Sequence, residues 1–310
     1  MTENKKNEAS SRRSGFITLV GRPNVGKSSI INALLREKVA AVSSKPQTTR
    51  RSVRCILSTD EYQMVIVDTP GLHEPRHELG EFMMREAESA MERVDAICFV
   101  TEAGKRMGAE EDEIARRIAR LGIPVALIVN KVDRLRDKED FWRYLGDITD
   151  ILKPAALVPL SAKEGINLDV LRHELSRLLP EGDFIYPEDV LMDTTERFLA
   201  EEIIREKIFE LTEQEVPHSV AVVVEEFKSP DEYPELKRME IRANIIVERA
   251  GQKGIVIGER GAKLKSIGTD SRLEMERRFG YPIFLQLWVK VKPGWRKSKL
   301  EMERVGYTRG

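Results

Sequence analysis

Eight consecutive residues, Gly21-Arg22-Pro23-Asn24-Val25-Gly26-Lys27-Ser28, constrain this chain more than any other stretch. They fit G-x-x-x-x-G-K-S/T, in which a loop between a strand and a helix wraps phosphate oxygens. The flanks agree. Phe16-Ile17-Thr18-Leu19-Val20 is a short apolar run of the kind buried in a sheet, and Ser29-Ile30-Ile31-Asn32-Ala33-Leu34-Leu35 reads as a helix. Backbone N–H groups of such a loop and the helix N-terminus converge on one point, which makes an anion site. Gly21 and Gly26 allow the tight turn and the close approach of phosphate. Lys27 is expected to reach β- and γ-phosphates, and the Ser28 hydroxyl to hold Mg²⁺.

With 310 residues the chain is long for one core, so two domains are expected. From Phe16 to about Leu179, strand-like runs at 52–57, 64–67, 96–100, 125–129 and 157–160 alternate with helical patterns near 81–91, 110–121, 139–152 and 168–178. Alternation of this kind predicts an α/β fold with a mostly parallel sheet flanked by helices. In such sheets ligands sit beyond the carboxyl ends of the strands, and every polar motif here falls at one of those ends. Asp68-Thr69-Pro70-Gly71 closes one strand. The carboxylate suits the outer shell of a Mg²⁺ ion, and Gly71 can offer a backbone N–H to a γ-phosphate. Asn130-Lys131-Val132-Asp133 closes another. A carboxylate accepts two hydrogen bonds from the N1–H and N2–H₂ edge of guanine, which adenine lacks. Ser161-Ala162-Lys163 closes a third, where a backbone N–H could meet guanine O6.

By these four motifs in this order, residues Ser14 to Leu179 resemble the translation-factor-type GTPases, the superfamily that includes Ras. The resemblance implies GTP and GDP as ligands, Mg²⁺ held by Ser28, Asp68 and a switch-loop threonine, and hydrolysis of GTP to GDP and phosphate. Lys45-Pro46-Gln47-Thr48-Thr49-Arg50 stands where the family's first switch loop stands. Thr49 is the expected ligand there, with Thr48 as the alternative. Lys27, Thr49, Gly71 and Asn24 are the expected catalytic group. One departure is Leu72, which occupies the place of the glutamine that orients water in Ras-like enzymes. An apolar side chain cannot hold a water, so slow intrinsic hydrolysis is expected; His73 and Glu74 are nearby polar candidates. Asn24 matches an asparagine that, in the potassium-activated members, helps to hold K⁺ near the phosphates. A P-loop kinase or ATPase is the rival reading, and Asp133 argues against it.

Net charge is −1 overall but lopsided along the chain. Residues 181–235 hold 17 Asp/Glu against 4 Lys/Arg, and residues 238–310 hold 17 Lys/Arg against 8 Asp/Glu. The basic end suggests a polyanion partner. Asp193-Thr194-Thr195-Glu196 resembles a capping box opening a helix. Strands are expected at 219–225, 238–247 and 283–291, with helices between the last two. Gly258-Glu259-Arg260-Gly261 joins those helices as a G-x-x-G loop, which brings backbone N–H groups to a nucleic-acid backbone. Preceded by Ile255-Val256-Ile257 and set in helix–strand–strand–helix–helix–strand order, it resembles the bacterial-type (type II) KH domain, a smaller α+β unit. Arg242, Lys253, Lys263 and Lys265 are candidate phosphate contacts; Glu259 opposes phosphate and Arg260 partly offsets it.

A GTPase with a C-terminal KH domain, together with Pro217-His218-Ser219-Val220-Ala221-Val222 and Leu287-Trp288-Val289-Lys290-Val291-Lys292, resembles the bacterial GTPase family of small-ribosomal-subunit assembly. The resemblance implies the 3′ end of 16S rRNA and the 30S subunit as partners. It also implies a cytoplasmic protein with peripheral association with the inner membrane. No apolar run approaches the roughly 18 residues a spanning helix needs. Cys55 and Cys98 sit in strand-like runs and are expected as buried core residues. The expected organisation is a disordered tail at 1–14, a GTPase domain at 15–180, a linker at 181–192, a KH domain at 193–295 and a basic tail at 296–310.

Overall fold

A computed structural model describes residues 12–41, 45, 48–72, 75, 77–104, 108–135, 138–213 and 216–307. The chain divides into two compact units. The first is Met1–Ala40, Ser52–Leu72 and Ala87–Asp193; the second is Ala41–Arg51, His73–Glu86 and Thr194–Gly310.

The first unit is built on a seven-stranded sheet, ordered β6-β5-β4-β1-β3-β2-β7. Its strands are β1 (Arg13–Val20), β2 (Val53–Ser58), β3 (Tyr62–Asp68), β4 (Ala96–Glu102), β5 (Val125–Asn130), β6 (Ala156–Pro159) and β7 (Met192–Asp193). The pairs β1–β3, β1–β4, β4–β5 and β5–β6 are parallel. β2 is antiparallel to both β3 and β7. The helices α1 (Lys27–Leu35), α2 (Glu78–Glu92), α3 (Ala109–Ala119), α4 (Lys138–Leu152) and α5 (Leu168–Leu178) alternate with the strands as the apolar periodicity predicts. The unit boundary falls within α2, after Glu86. Ile17, Leu19, Ile30, Ile31, Met64, Ile66, Cys98 and Ile128 form the centre of one core. Both cysteines are free and buried.

The ends of this unit differ from expectation. Arg13 and Ser14 are the first residues of β1, not a tail. Arg13 reaches the carbonyls of Arg177 and Leu179, and its backbone bridges Glu181. The expected linker at 181–192 is held as well. Gln63 accepts from the N–H groups of Ile185 and Tyr186, at 2.8 and 2.9 Å, and donates to the Tyr186 carbonyl at 2.8 Å. One buried carboxamide thus satisfies three backbone groups of a segment that has no periodicity of its own.

The second unit has a three-stranded sheet, β10-β9-β8, from β8 (Ala221–Lys228), β9 (Met239–Val247) and β10 (Ile283–Val291). β9 is antiparallel to β8 and parallel to β10. Its helices are α6 (Glu196–Leu211), α7 (Val216–Ser219), α8 (Ala250–Ile257), α9 (Ala262–Phe279) and α10 (Lys299–Arg304). A helical turn, α7, occupies the start of what the sequence presents as a strand. The cap of α6 also shifts: Thr195 is the N-cap and accepts from the Phe198 N–H, so the box expected from Asp193 to Glu196 does not form.

Residues 296–307 are not a tail. Trp295, Met302, Val305 and Tyr307 share a core with Leu79, Phe82 and Met83 of α2 and with Ala221 and Ile246. Trp295 is fully buried, donates to the Ser219 carbonyl at 3.0 Å and stacks on Tyr307 at 5.8 Å. Aromatic and aliphatic residues before, within and after the short helix α10 bury enough area to fix an otherwise basic segment. Arg50 belongs to the same unit. It is 1% exposed and donates to the carbonyls of Val220 and Pro217 and to the Tyr307 hydroxyl. Replacing Trp295 with alanine should destabilise the second unit by about 3–5 kcal/mol, the usual cost of emptying a buried indole site. Pulse proteolysis in urea would measure it; an unchanged midpoint would mean that the C-terminal segment only rests on the unit.

Candidate nucleotide site and nucleic-acid interface

The phosphate loop connects β1 to α1 and is fixed by contacts along its length. Gly21 has φ 155 and Gly26 has φ 102. A Cβ at Gly21 would collide with the Val100 carbonyl oxygen, and one at Gly26 with the Asn130 amide nitrogen. Glycine is therefore required at both positions by neighbours as well as by backbone geometry. Asn24 takes a left-handed conformation with φ 64. Lys27 is buried and donates to the carbonyls of Gly21 and Arg22, at 3.1 and 3.3 Å. Burial pulls its pKa from 10.5 down to about 8, only partly opposed by the Asp68 carboxylate. The Ser28 hydroxyl donates to Asp68 Oδ2 at 2.9 Å.

Asp68 ends β3, and the turn after it is stitched to the loop. The Thr69 hydroxyl donates to the Leu19 carbonyl at 2.7 Å, and the Leu72 N–H to the Gly21 carbonyl at 3.3 Å. A Cβ on Gly71 would lie 2.9 Å from the Pro23 nitrogen, so the backbone passes too close for any side chain. Leu72 is 3% exposed. A buried aliphatic group in the glutamine's place fits the expected absence of a water-orienting side chain. His73 and Glu74 lie outside the described residues. Thr49 and Thr48 fall in the second unit, where the Thr48 hydroxyl donates to the Lys45 carbonyl at 2.8 Å.

The ends of β5 and β6 meet at Asn130. Its amide donates to the Val25 carbonyl at 2.8 Å. Its oxygen accepts from the N–H groups of Lys131 and Ala162, at 2.8 and 3.1 Å. The Ala162 N–H is thus committed within the protein. Asp133 is exposed on the turn Val132–Arg134, and its Oδ1 accepts from the buried Ser161 hydroxyl at 2.6 Å. That hydrogen bond, more than the nearby Arg134 and Lys163, lowers the Asp133 pKa and keeps the carboxylate an acceptor. Its charge and fixed orientation suit the paired donors of guanine. Lys163 is exposed and pairs with Glu164 at 2.8 Å.

Two acidic residues escaped the sequence reading. Glu102, the last residue of β4, lies 3.2 Å from Lys131 Nζ, which also donates to the Asn24 carbonyl at 2.7 Å. Its place at a strand end was a usable signal. Glu111 on α3 is buried and lies 4.0 Å from Arg22 of the loop. Nothing in its helical neighbourhood marks it.

In the second unit, Gly258 caps α8 and Gly261 stands at the N-cap of α9, with φ 72 and 81. Arg260 between them is left-handed as well, with φ 49. A Cβ on Gly258 would lie 2.7 Å from the Lys263 Cβ, whereas one on Gly261 would point into open space. The loop therefore turns sharply; the Gly261 N–H donates to the Gly258 carbonyl at 3.3 Å and the Ala262 N–H to the Glu259 carbonyl. Beside it an open groove of about 420 Å³ runs between α9 and β10, lined by Gly261, Leu264, Lys265, Arg272, Leu285 and Leu287. Glu259 and Arg260 are exposed, and Lys253 and Lys263 are half-exposed on the flanking helices. Arg242 is elsewhere. It lies 3.0 Å from Gln286 and 2.9 Å from Glu226, on the sheet face opposite Leu285 and Leu287, so it does not line the groove.

Residues 16–131 match a family described as 50S ribosome-binding GTPase, and residues 215–296 match the KH domain family. Era in complex with MgGDPNP and nucleotides 1506–1542 of 16S ribosomal RNA is 37% identical, with a TM-score of 0.91, over 96% of this chain and 100% of that one. A variant of Aquifex aeolicus Era bound to GDP and AlF₄⁻ is 38% identical, with a TM-score of 0.90, over the same shares. With identity of 37–38% over 96% of its length, the chain belongs to the Era family of GTPases.

Proposed function

We propose that this GTPase binds the 3′ region of 16S rRNA through its KH unit and acts in 30S subunit assembly and rRNA maturation, with bound nucleotide setting its RNA affinity. The observation that carries the RNA reading is the G-x-x-G turn. Positive φ at three of its four residues turns the chain sharply into α9, beside a groove with an apolar floor and basic rim. Backbone N–H groups there take phosphate, and Leu264, Leu285 and Leu287 take the faces of unstacked bases. Lys253, Lys263, Lys265 and Arg272 supply the surrounding charge. Nucleotides 1506–1542 in the complex of the related Era motivate the choice of RNA.

On the nucleotide side, Asp133 reads guanine while Ser161 holds its carboxylate in place. Lys27 neutralises the β- and γ-phosphates, and the Gly71 N–H faces the γ-phosphate. Ser28 and Asp68 offer a hydroxyl and a carboxylate oxygen at hydrogen-bond distance from each other, which fits a hard cation completed by phosphate and water. Mg²⁺ held there by Ser28 and Asp68 would supply positive charge beside the phosphates. Thr49 is the switch residue we assign to sensing γ-phosphate. Leu72 orients no water, so intrinsic turnover is slow. Asn24 presents a neutral amide on the exposed rim of the loop, which fits K⁺. The family resemblance adds peripheral inner-membrane association, which vesicle flotation would read. Among the described residues no helix is long and apolar enough to cross a membrane.

Base selectivity is the direct test. The protein should prefer GTP and GDP to ATP, and Asp133→Asn should move preference toward xanthosine nucleotides; equal binding of ATP and GTP by the parent would refute the guanine assignment. Hydrolysis should be faster in potassium than in sodium at equal ionic strength, and Asn24→Ala should abolish the difference. Identical parental rates in the two salts would leave Asn24 as a turn residue only. Lys27 gives a pH signature. Between about pH 8 and 10.5 the unfolded chain keeps this proton and the folded chain has released it, so the group's penalty on folding shrinks as pH rises. Phosphate restores the charge, so GDP binding should take up a proton at pH 8.5 to 9 and weaken as pH rises further. Calorimetry in two buffers of different ionisation enthalpy would detect that uptake, and its absence would place the Lys27 pKa elsewhere. Finally, Gly261→Asp should lower RNA affinity and leave basal GTP hydrolysis unchanged, because it sets a negative charge before the α9 N-terminus. RNA binding by that variant equal to the parent's would move the site off the loop.

A further inference from the structure

β10 has two faces, and the groove uses one. Ile283, Leu285, Leu287 and Val289 belong to, or pack on, the core of the second unit. By strand alternation Phe284, Gln286, Trp288 and Lys290 point the other way. β10 is an edge of its three-stranded sheet, so this outward row borders the strand whose inner face lines the groove. Trp288 and Phe284 are 46% and 40% exposed. Indole rings are highly buried on average, so an indole this open is a poor use of the residue unless something covers it.

Cations interleave with the two rings. The Arg238 guanidinium lies 4.6 Å from the Phe284 ring centroid. Lys290 lies two residues beyond Trp288, and Lys292 two beyond that. β10 itself carries no carboxylate. The carboxylates nearby are already matched, Glu240 of β9 by Arg238 at 3.6 Å, Glu226 and Glu225 of β8 by Arg242 at 2.9 Å and Lys290 at 3.2 Å, and Glu301 of α10 by Lys292 at 3.3 Å. Ion pairs this exposed are weak, so Lys290 can exchange its partner for phosphate at little cost.

We infer that the outward face of β10 is a second single-stranded RNA surface, on which Trp288 stacks a base and Lys290 and Lys292 meet phosphates as the strand leaves the groove over the open edge. Aromatic platforms combined with backbone-tracking cations are how single strands are held without sequence reading. The cations break the rings into separate spots and leave no contiguous apolar patch of the kind a protein partner favours. The inference rests on the RNA reading above and adds a surface to it.

Two probes from the 3′ end of 16S rRNA test it by fluorescence anisotropy: a tetranucleotide, the length a G-x-x-G clamp holds, and a single-stranded decanucleotide. Trp288→Leu should weaken decanucleotide binding about 5- to 150-fold and leave the tetranucleotide unchanged. Trp288→Phe should keep most of the affinity. Lys290→Ala should flatten the log–log salt dependence for the decanucleotide by about 0.7. Of the three tryptophans Trp295 is fully buried, so in a Trp142→Phe background Trp288 is the exposed reporter, and the decanucleotide should quench it. If the parent bound neither probe, the RNA reading would fail and this inference with it. If the parent bound both and Trp288→Leu changed neither, or weakened both alike, the outward face would be excluded while the groove remained. Unchanged RNA affinity with reduced co-sedimentation on 30S subunits would assign Trp288 to a protein partner instead, and overturn the inference.

Discussion

The carboxamide of Asn130 closes three hydrogen bonds at once, to the Val25 carbonyl, the Lys131 N–H and the Ala162 N–H. These three groups come from the phosphate loop, the turn after β5 and the turn after β6. None has a sheet partner, because each lies just past the end of a strand, and a buried polar group without a partner is costly. A neutral side chain with donors on one side and an acceptor on the other solves this with one residue. Aspartate could not donate to Val25, and leucine would strand all three. The base-reading turn and the phosphate cradle are therefore one assembly, and Asp133, Lys131 and Lys27 inherit their positions from it. Glu102 adds a charge-assisted brace from β4 by fixing Lys131 against the loop.

The second unit is assembled from distant pieces of the chain. Residues 41–51 and 73–86, which flank the motifs of the nucleotide site in sequence, group with it. Arg50 shows how tightly. Its guanidinium is fully desolvated and depends on two carbonyls and the Tyr307 hydroxyl, while the Phe209 ring lies 5.8 Å away. Burial pulls its pKa below the usual arginine value, with Tyr307 opposing. Lys45 is held in the same way, by the carbonyls of Phe209 and Thr212. A buried guanidinium held by fixed acceptors loses much if they move, so the segment around Arg50 depends on its partners. The stretches of chain expected to respond to γ-phosphate are thus also structural members of the unit that carries the G-x-x-G loop.

The motifs that do chemistry were legible in the sequence because each is local. A strand followed by G-x-x-x-x-G-K-S specifies its own turn and its own anion site, and Asp68, Asn130, Asp133 and Ser161 stand at strand ends that apolar runs announce. The helix–strand order of the KH unit and its G-x-x-G loop were legible for the same reason. What stayed hidden depends on residues that meet only in the fold. The stretch 181–192 reads as a linker because it has no period, yet Gln63 pins Ile185 and Tyr186 within it from another strand. Residues 296–310 read as a basic tail because Lys and Arg dominate, yet Trp295 and Tyr307 hold the described part, 296–307, in a core. Arg242 reads as a phosphate contact by proximity in sequence, yet the pleat of β9 turns it to the face away from the groove.

By itself, then, the sequence determined the two kinds of fold and the places of the phosphate loop, of the Asn130–Asp133 turn and of the G-x-x-G loop. Those follow from backbone conformation and side-chain chemistry within a few residues. Only the tertiary structure decided which unit the switch segments join, which residues brace Lys131 and Arg22, and which side of β10 faces outward. These are questions of register and packing between segments far apart in the chain, such as Arg50 with Tyr307 and Leu79 with Trp295. No local pattern records them, because burial rewards any apolar partner of suitable size and only the folded sheet selects one.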